Sequence, residues 1–155
     1  MTFEKATIKD IDVLTNLRLA YLQEDLGNIS NEDSTTIQTA LPAYYTKHLN
    51  RDLMVYVARD HEDIVSCAFL LIVEKPMSPS FFTGKTGTVL NVYTKPKHRH
   101  NGYAKQLMTM MLEDATKLGV SVIDLKATEA GYPLYKSVGF EDVIAKYHNM
   151  KLILK

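Results

Sequence analysis

The stretch that decides the fold is Val89-Leu90-Asn91-Val92-Tyr93-Thr94-Lys95-Pro96-Lys97-His98-Arg99-His100-Asn101-Gly102-Tyr103-Ala104, running into Lys105-Gln106-Leu107-Met108. It opens as an apolar, β-branched run of strand character that Pro96 stops. A basic turn follows, and a helix opens at Gly102. Ala104, Leu107, Met108, Met111, Leu112, Ala115 and Leu118 share one face of that helix at the i, i+3, i+4, i+7 spacing. Gly119 stands where a C′ glycine ends a helix. Strand, basic turn and helix N-terminus form a device for holding an anion, because the first-turn N–H groups lack intrahelical partners and the dipole is positive there. Gly102 allows close approach to the backbone, Ala104 adds little bulk, and Lys97, Arg99 and Lys105 add charge. A pyrophosphate is the natural guest. The local pattern alone fits an ordinary βα crossover with a basic turn equally well.

Size and composition narrow the rest. A chain of 155 residues makes one domain, 1–155, with a core of its own. Hydrophobic content of 46% and charged content of 23% are those of a soluble globular protein. Formal net charge is zero, so there is no global basic footprint for nucleic acid or an anionic membrane. The cluster Lys95, Lys97, Arg99 and Lys105 is local and suits a small polyanion better than a duplex. The lone Cys67 cannot form an internal disulfide and reads as a small buried hydrophobe. Residues 1–10 lack the apolar run of a signal peptide, and 67–73 is too short to span a bilayer, so a cytoplasmic location is expected.

Along the chain, Phe3 to Ile8 reads as a first strand. Asp10 is placed to cap a helix carrying Ile11, Leu14, Leu17 and Tyr21, ended near Gly27. Ser30-Asn31-Glu32-Asp33 offers a capping-box start to a second helical pattern, in which Pro42 predicts a kink or two short helices. Leu53 to Arg59 and Ile64 to Glu74 read as a hairpin around an acidic turn, and Pro76 to Gly87, with Phe81 and Phe82, as a mobile loop. After the opening strand and helix come a strand at Val120 to Leu125, in parallel crossover, and a short helix at Gly131 to Val138. One or two final strands are expected within Phe140 to Leu154. The order β-α-α-β-β-β-α-β-α-β is a mixed α/β sheet.

Arg99-His100-Asn101-Gly102-Tyr103-Ala104 fits Arg/Gln-x-x-Gly-x-Gly/Ala. With Asn91-Val92-Tyr93-Thr94 before it, this stretch resembles the GNAT family of N-acetyltransferases. A second segment, Leu125-Lys126-Ala127-Thr128-Glu129-Ala130-Gly131-Tyr132-Pro133-Leu134-Tyr135-Lys136-Ser137-Val138-Gly139-Phe140, resembles the family's region after its fifth strand, where Leu-Tyr-x-x-x-Gly-Phe ends a short helix. The resemblance covers about Val89 to Phe140. It implies the GNAT acyl-CoA N-acyltransferase fold, a central mixed sheet with splayed middle strands and helices on both faces.

By that resemblance the turn Arg99, His100, Asn101, Gly102, Tyr103, Ala104 and Lys105 wraps the pyrophosphate of acetyl-CoA. Val92, Tyr93 and Thr94 pair with its pantetheine arm, and amides of Val92 and Tyr93 face the thioester oxyanion. Thr128 stands where many members have Asn, as a further cofactor contact. Tyr135 is the implied general acid: a phenol with a pKa of roughly 10 can donate to a departing thiolate whose thiol has one of roughly 8.5. Many members place a glutamate base on the fourth strand, where this chain has Asn91 and Tyr93. Glu24, Asp25 or His148 is left to hold or relay the amine's proton, and Tyr21, Glu24 and Asn91 are candidate substrate contacts, with Tyr44 and Tyr45 as further walls.

Three patterns carry no chemistry. Gly84-Lys85-Thr86 lacks the first glycine of a phosphate loop, replaced by Pro79. His98-x-His100 has no third ligand at a useful spacing, so no metal is expected. Met108, Met110 and Met111 read as helix core. The expected activity is acetyl transfer from acetyl-CoA to a primary amine in a direct ternary complex. A coenzyme A-binding sensor without catalysis, or an enzyme acting on a protein lysine or N-terminus, are the alternatives. The acceptor is a small-molecule or peptide amine, with no nucleic acid or membrane partner. Family members often pair through their C-terminal strands, which allows a homodimer.

Overall fold

The computed structural model describes Met1–Lys155 and runs β1 (Thr2–Lys5), α1 (Ile11–Leu26), α2 (Asn31–His48), β2 (Leu53–Asp60), β3 (Asp63–Glu74), β4 (Lys85–Thr94), α3 (Tyr103–Lys117), β5 (Val122–Asp124) and α4 (Tyr132–Ser137). The strands form one mixed sheet in the order β1-β2-β3-β4-β5, antiparallel except for the parallel pair β4 and β5. Successive residues of the central strands point to opposite faces. Val55, Val57, Cys67 and Phe69 thus join Leu14, Leu17, Tyr45 and Leu49 in the core beneath α1 and α2. Met54, Tyr56, Ala58, Ala68 and Leu70 join Leu107, Met108, Met111 and Ala115 of α3 on the other face. Burial on both faces is why β2 and β3 read as nearly continuous apolar runs.

The first helix is entered differently from the expectation. Asp10 makes no side-chain cap to α1; instead Thr7 and Asp10 form a reciprocal capping box around a single helical turn that precedes it. Asp10 is buried, and Arg59 holds it at 3.0 Å while also binding Glu4 at 2.7 Å. This ties the start of α1 to β1 and β2. Helix α1 ends at Gly27, which takes the positive φ of 79° that a side chain resists. Ser30 caps α2 by accepting from the Asp33 amide at 3.0 Å. Pro42 does not divide that helix, which continues unbroken from Asn31 to His48. Proline removes one N–H donor there, but packing of Leu41, Tyr45 and Leu49 against the sheet holds the turns on either side.

Two boundaries move. β4 begins at Lys85, inside the stretch expected to be loop, because Thr86, Gly87 and Thr88 pair with β3 on one side and β5 on the other. Gly87 is needed there: a Cβ would stand 2.8 Å from Leu70 Cδ1 and 3.3 Å from Ile123 Cγ1. The first strand stops at Lys5, three residues short of Ile8, where the chain turns into the Thr7 box.

The largest departure is at the C-terminus. No strand forms within Phe140 to Leu154, and Val143, Ile144, Tyr147, Met150, Leu152, Ile153 and Leu154 are exposed. A strand exists only against a neighbour, and β5 presents just three residues of edge. Phe140, which stacks edge-on against Tyr135 at 6.1 Å, is the last residue packed on the core.

Met108 has no exposed surface and joins α3 to the sheet. Met108→Ala is expected to cost about 2–5 kcal/mol of stability, read as a lower urea midpoint with unchanged slope.

Candidate active site

β4 pairs with β5 only at Thr86, Gly87 and Thr88. From Val89 to Thr94 the edge of β4 that faces β5 has no strand partner. Strands β4 and β5 part there. On its other edge β4 carries one extra residue against β3, since Phe69 faces Leu90 and Cys67 faces Tyr93. Asn91 sits in this bulge with a φ of 48° and is buried. Its side chain is held on both sides: Arg18 donates to Oδ1 at 3.2 Å, and Nδ2 donates to Cys67 Sγ at 3.6 Å. Burial pushes the Cys67 thiol up to about 12, so it is inert.

Beyond the bulge the chain turns at Pro96–His98 and enters α3. His100 and Gly102 both have positive φ, 65° and 77°, which curls the backbone. The first helical bond of α3 is Gln106 N–H to Gly102 C=O at 3.1 Å. The amides of His100, Asn101, Gly102, Tyr103, Ala104 and Lys105 therefore donate to nothing in the protein. Six consecutive free N–H groups at a helix N-terminus, with the exposed Lys105 beside them, form the anion cradle that the local sequence pattern describes.

A cleft of about 740 Å³ runs from this cradle along the open edge of β4. Its walls include Val92, Tyr93, Thr94, Arg99, His100, Asn101, Gly102, Tyr103, Ala104, Lys105, Thr128 and Tyr135, which is every residue the sequence reading placed on the cofactor. Tyr21, Glu24 and Asp25 of α1 line it as well. Asn91 lies behind the wall, not in it. His148 lies in the extended C-terminal segment, away from the cleft. Tyr45 is in the core, and Tyr44 packs on His48 at 4.6 Å. No cluster of three His, Cys, Asp or Glu side chains with metal-binding geometry is present.

Two details refine individual residues. The Arg99 guanidinium turns back over the Tyr93 ring at 5.6 Å, donates to the Thr94 carbonyl at 2.9 Å and binds Glu24 at 2.7 Å. Its charge faces the α1 end of the cleft, and Glu24 is neutralised by it. Thr128 accepts from the Gly131 amide at 3.1 Å and so starts the turn that carries α4. Tyr135 leans on that turn so closely that a Cβ on Gly131 would stand 2.9 Å from its ring. The Tyr135 phenol is half-buried, and burial, with a smaller push from Tyr21 across the cleft, raises its pKa to about 12.

Arg18 was passed over in the sequence. The signal was there: Leu14, Leu17, Arg18 and Tyr21 follow i, i+3, i+4, i+7, which puts a cation on the apolar stripe of α1.

These features define a class. The sequence matches the Acetyltransferase (GNAT) family over residues 20–140. The chain belongs to that family, whose members transfer an acyl group from acetyl-CoA. No curated protein sequence matches it. Among solved structures, a predicted acetyltransferase of Clostridium acetobutylicum with acetyl-CoA is 29% identical, with a TM-score of 0.84 over 97% of this chain and 95% of that one. A GCN5-related N-acetyltransferase of Ralstonia eutropha is 24% identical, with a TM-score of 0.75 over 96% and 97%. A ribosomal-protein-alanine N-acetyltransferase of Brucella melitensis shares the fold at 19% identity, with a TM-score of 0.68 over 97% and 100%. No helix is long and apolar enough to cross a membrane.

Because Arg99 is engaged by Glu24, Thr94 and Tyr93, Arg99→Ala is expected to lower stability by about 1 kcal/mol or less. Calorimetric titration should find the coenzyme A dissociation constant within about threefold of wild type. A tenfold weakening would place the guanidinium on the phosphates.

Proposed function

We propose that the protein transfers the acetyl group of acetyl-CoA to a primary amine by direct attack, with Tyr135 as general acid. One arrangement supports this reading most strongly. A single cleft joins six free helix-terminal amides to a half-buried phenol, with an unpaired strand edge between them. The amides of residues 100–105 hold the pyrophosphate. The open edge at Val92, Tyr93 and Thr94 hydrogen-bonds the pantetheine arm as an added strand does. On this reading the Val92 amide faces the carbonyl oxygen as negative charge develops on it, while the Tyr93 amide is turned towards Cys67 on β3.

Nitrogen attacks the thioester carbon, and the C–S bond breaks as the C–N bond is completed. Sulfur leaves as a thiolate, and the amine's proton passes to water. With a pKa of about 12 Tyr135 is a neutral O–H donor at physiological pH. It hydrogen-bonds the developing thiolate in the transition state. Net proton transfer to a thiolate whose thiol has a pKa of roughly 8.5 is uphill, so the phenol keeps its proton after the transition state and the released thiolate equilibrates with solvent. Glu24 is already paired with Arg99, which leaves Asp25 as the carboxylate at the rim to hold the incoming ammonium. There is no glutamate base on β4, so the amine loses its proton through water.

A non-catalytic coenzyme A sensor would share the cradle but has no use for Tyr135. Thiol release on mixing with acetyl-CoA and a panel of amines, peptide N-termini and lysine peptides included, separates the readings. Binding of acetyl-CoA without turnover on any amine would sink the enzyme.

Tyr135→Phe is expected to lower kcat by roughly a hundredfold or more while the KM for acetyl-CoA stays within about threefold. Equal losses in both would make the hydroxyl a positioning group. A raised folded-state pKa keeps the acid protonated as pH increases. The wild-type rate should therefore rise with free amine between about pH 7 and 10, with no descending limb from Tyr135.

A further inference from the structure

Behind the cleft wall, against Asn91, stands a cation without a counter-ion. Arg18 is half-buried on α1, and its five N–H donors meet one side-chain acceptor, Asn91 Oδ1 at 3.2 Å. No carboxylate lies within 4 Å of it, although of the other half-buried arginines Arg59 has two and Arg99 one. A guanidinium drawn out of water without an anion is costly. Its neighbours do not supply one. Its charge stacks 5.8 Å from the Tyr21 ring and bears on the phenols of Tyr21, Tyr44 and Tyr45. The Tyr45 hydroxyl is itself buried with no hydrogen-bond partner, at 1% exposure for the residue. The guanidinium can only donate, and although each phenol oxygen can accept, Arg18 bonds none of them and meets Asn91 Oδ1 alone.

Its place gives the shortage a meaning. Asn91, the residue that holds Arg18, directly precedes Val92 at the cleft wall, and Tyr21, one helical turn on, lines the cleft. Arg18 does not line the cleft itself, but both of these neighbours bring it up against the wall.

We propose that Arg18 binds a carboxylate carried by the acceptor, so that the amine substrate is an amino acid or another compound with a carboxylate a few bonds from its nitrogen. The planar fork of arginine suits a carboxylate, which supplies the missing acceptors, and Asn91 acts as the positioning residue that aims the fork. Asp25 and Arg18 then read the two ends of a zwitterion, with Tyr21 between them on the same helix. This rests on the acetyl-transfer reading above and narrows its substrate.

The test compares kcat/KM for matched amines that differ only in the carboxylate: amino acids, their carboxamides and their decarboxylated amines. Wild type should favour the carboxylates by roughly 10- to 100-fold. Arg18→Gln should bring that ratio close to one, mainly through KM. Arg18→Lys, which keeps the charge but not the fork, should fall between. Coenzyme A affinity and melting temperature check that each variant is folded. A wild-type ratio near one, or a ratio that Arg18→Gln leaves intact, overturns the proposal. Should wild type acetylate no amine at all, the enzyme reading fails separately. The carboxylate site is then judged by calorimetric binding of the same carboxylates and carboxamides to the coenzyme A complex. Carboxylates that bind no tighter than carboxamides overturn it.

Discussion

The structure depends on backbone polar groups left without partners along β4, where its outer neighbour β5 ends. Peptide N–H and C=O groups in a folded core are almost always paired, because an unpaired one loses water and gains nothing. Here β4 gives up its parallel neighbour after Thr88, bulges at Asn91 and delivers the chain to a helix whose first amides are also free. Such an arrangement is stable only where water or a ligand reaches those groups. The cleft along β4 meets that requirement, and a long ligand with phosphates at one end and amides in its middle has matching chemistry.

The surrounding core keeps this opening from collapsing. Leu107, Met108, Met111 and Ala115 lock α3 to one face, so its N-terminus cannot swing across the gap. On the other face Leu14 and Leu17 seat α1, while Arg18 and Cys67 grip Asn91 from two directions. The bulge carries a left-handed residue that is not glycine, a conformation held against its own strain by these contacts.

Charge is arranged with similar economy. The chain has no net charge, and two of the four cations in the basic stretch are engaged: Lys95 with Asp63 at 2.7 Å, Arg99 with Glu24. Attraction for a polyanion is therefore local, carried by amide dipoles and Lys105, and a general basic surface is not needed. The same pairing removes Glu24 from the set of free carboxylates, a fact about geometry that no spacing rule could show.

What could be read from residue order was local. Period, breakers and glycine placement predict the start of α3 within a residue, because those signals act over one turn of chain. The Arg-x-x-Gly-x-Ala spacing marked the cradle for the same reason, as both partners of the device lie within six residues. The one or two strands expected within Phe140 to Leu154 did not form, since a strand needs an edge supplied from elsewhere. Only the tertiary structure set Arg99 on Glu24, which lies 75 positions away, and Arg18 on Asn91, 73 away. The order of residues determined which elements form and where an anion can be held. Which charges are already neutralised, and which remain for a substrate, was decided by contacts between helices and strands far apart in the chain.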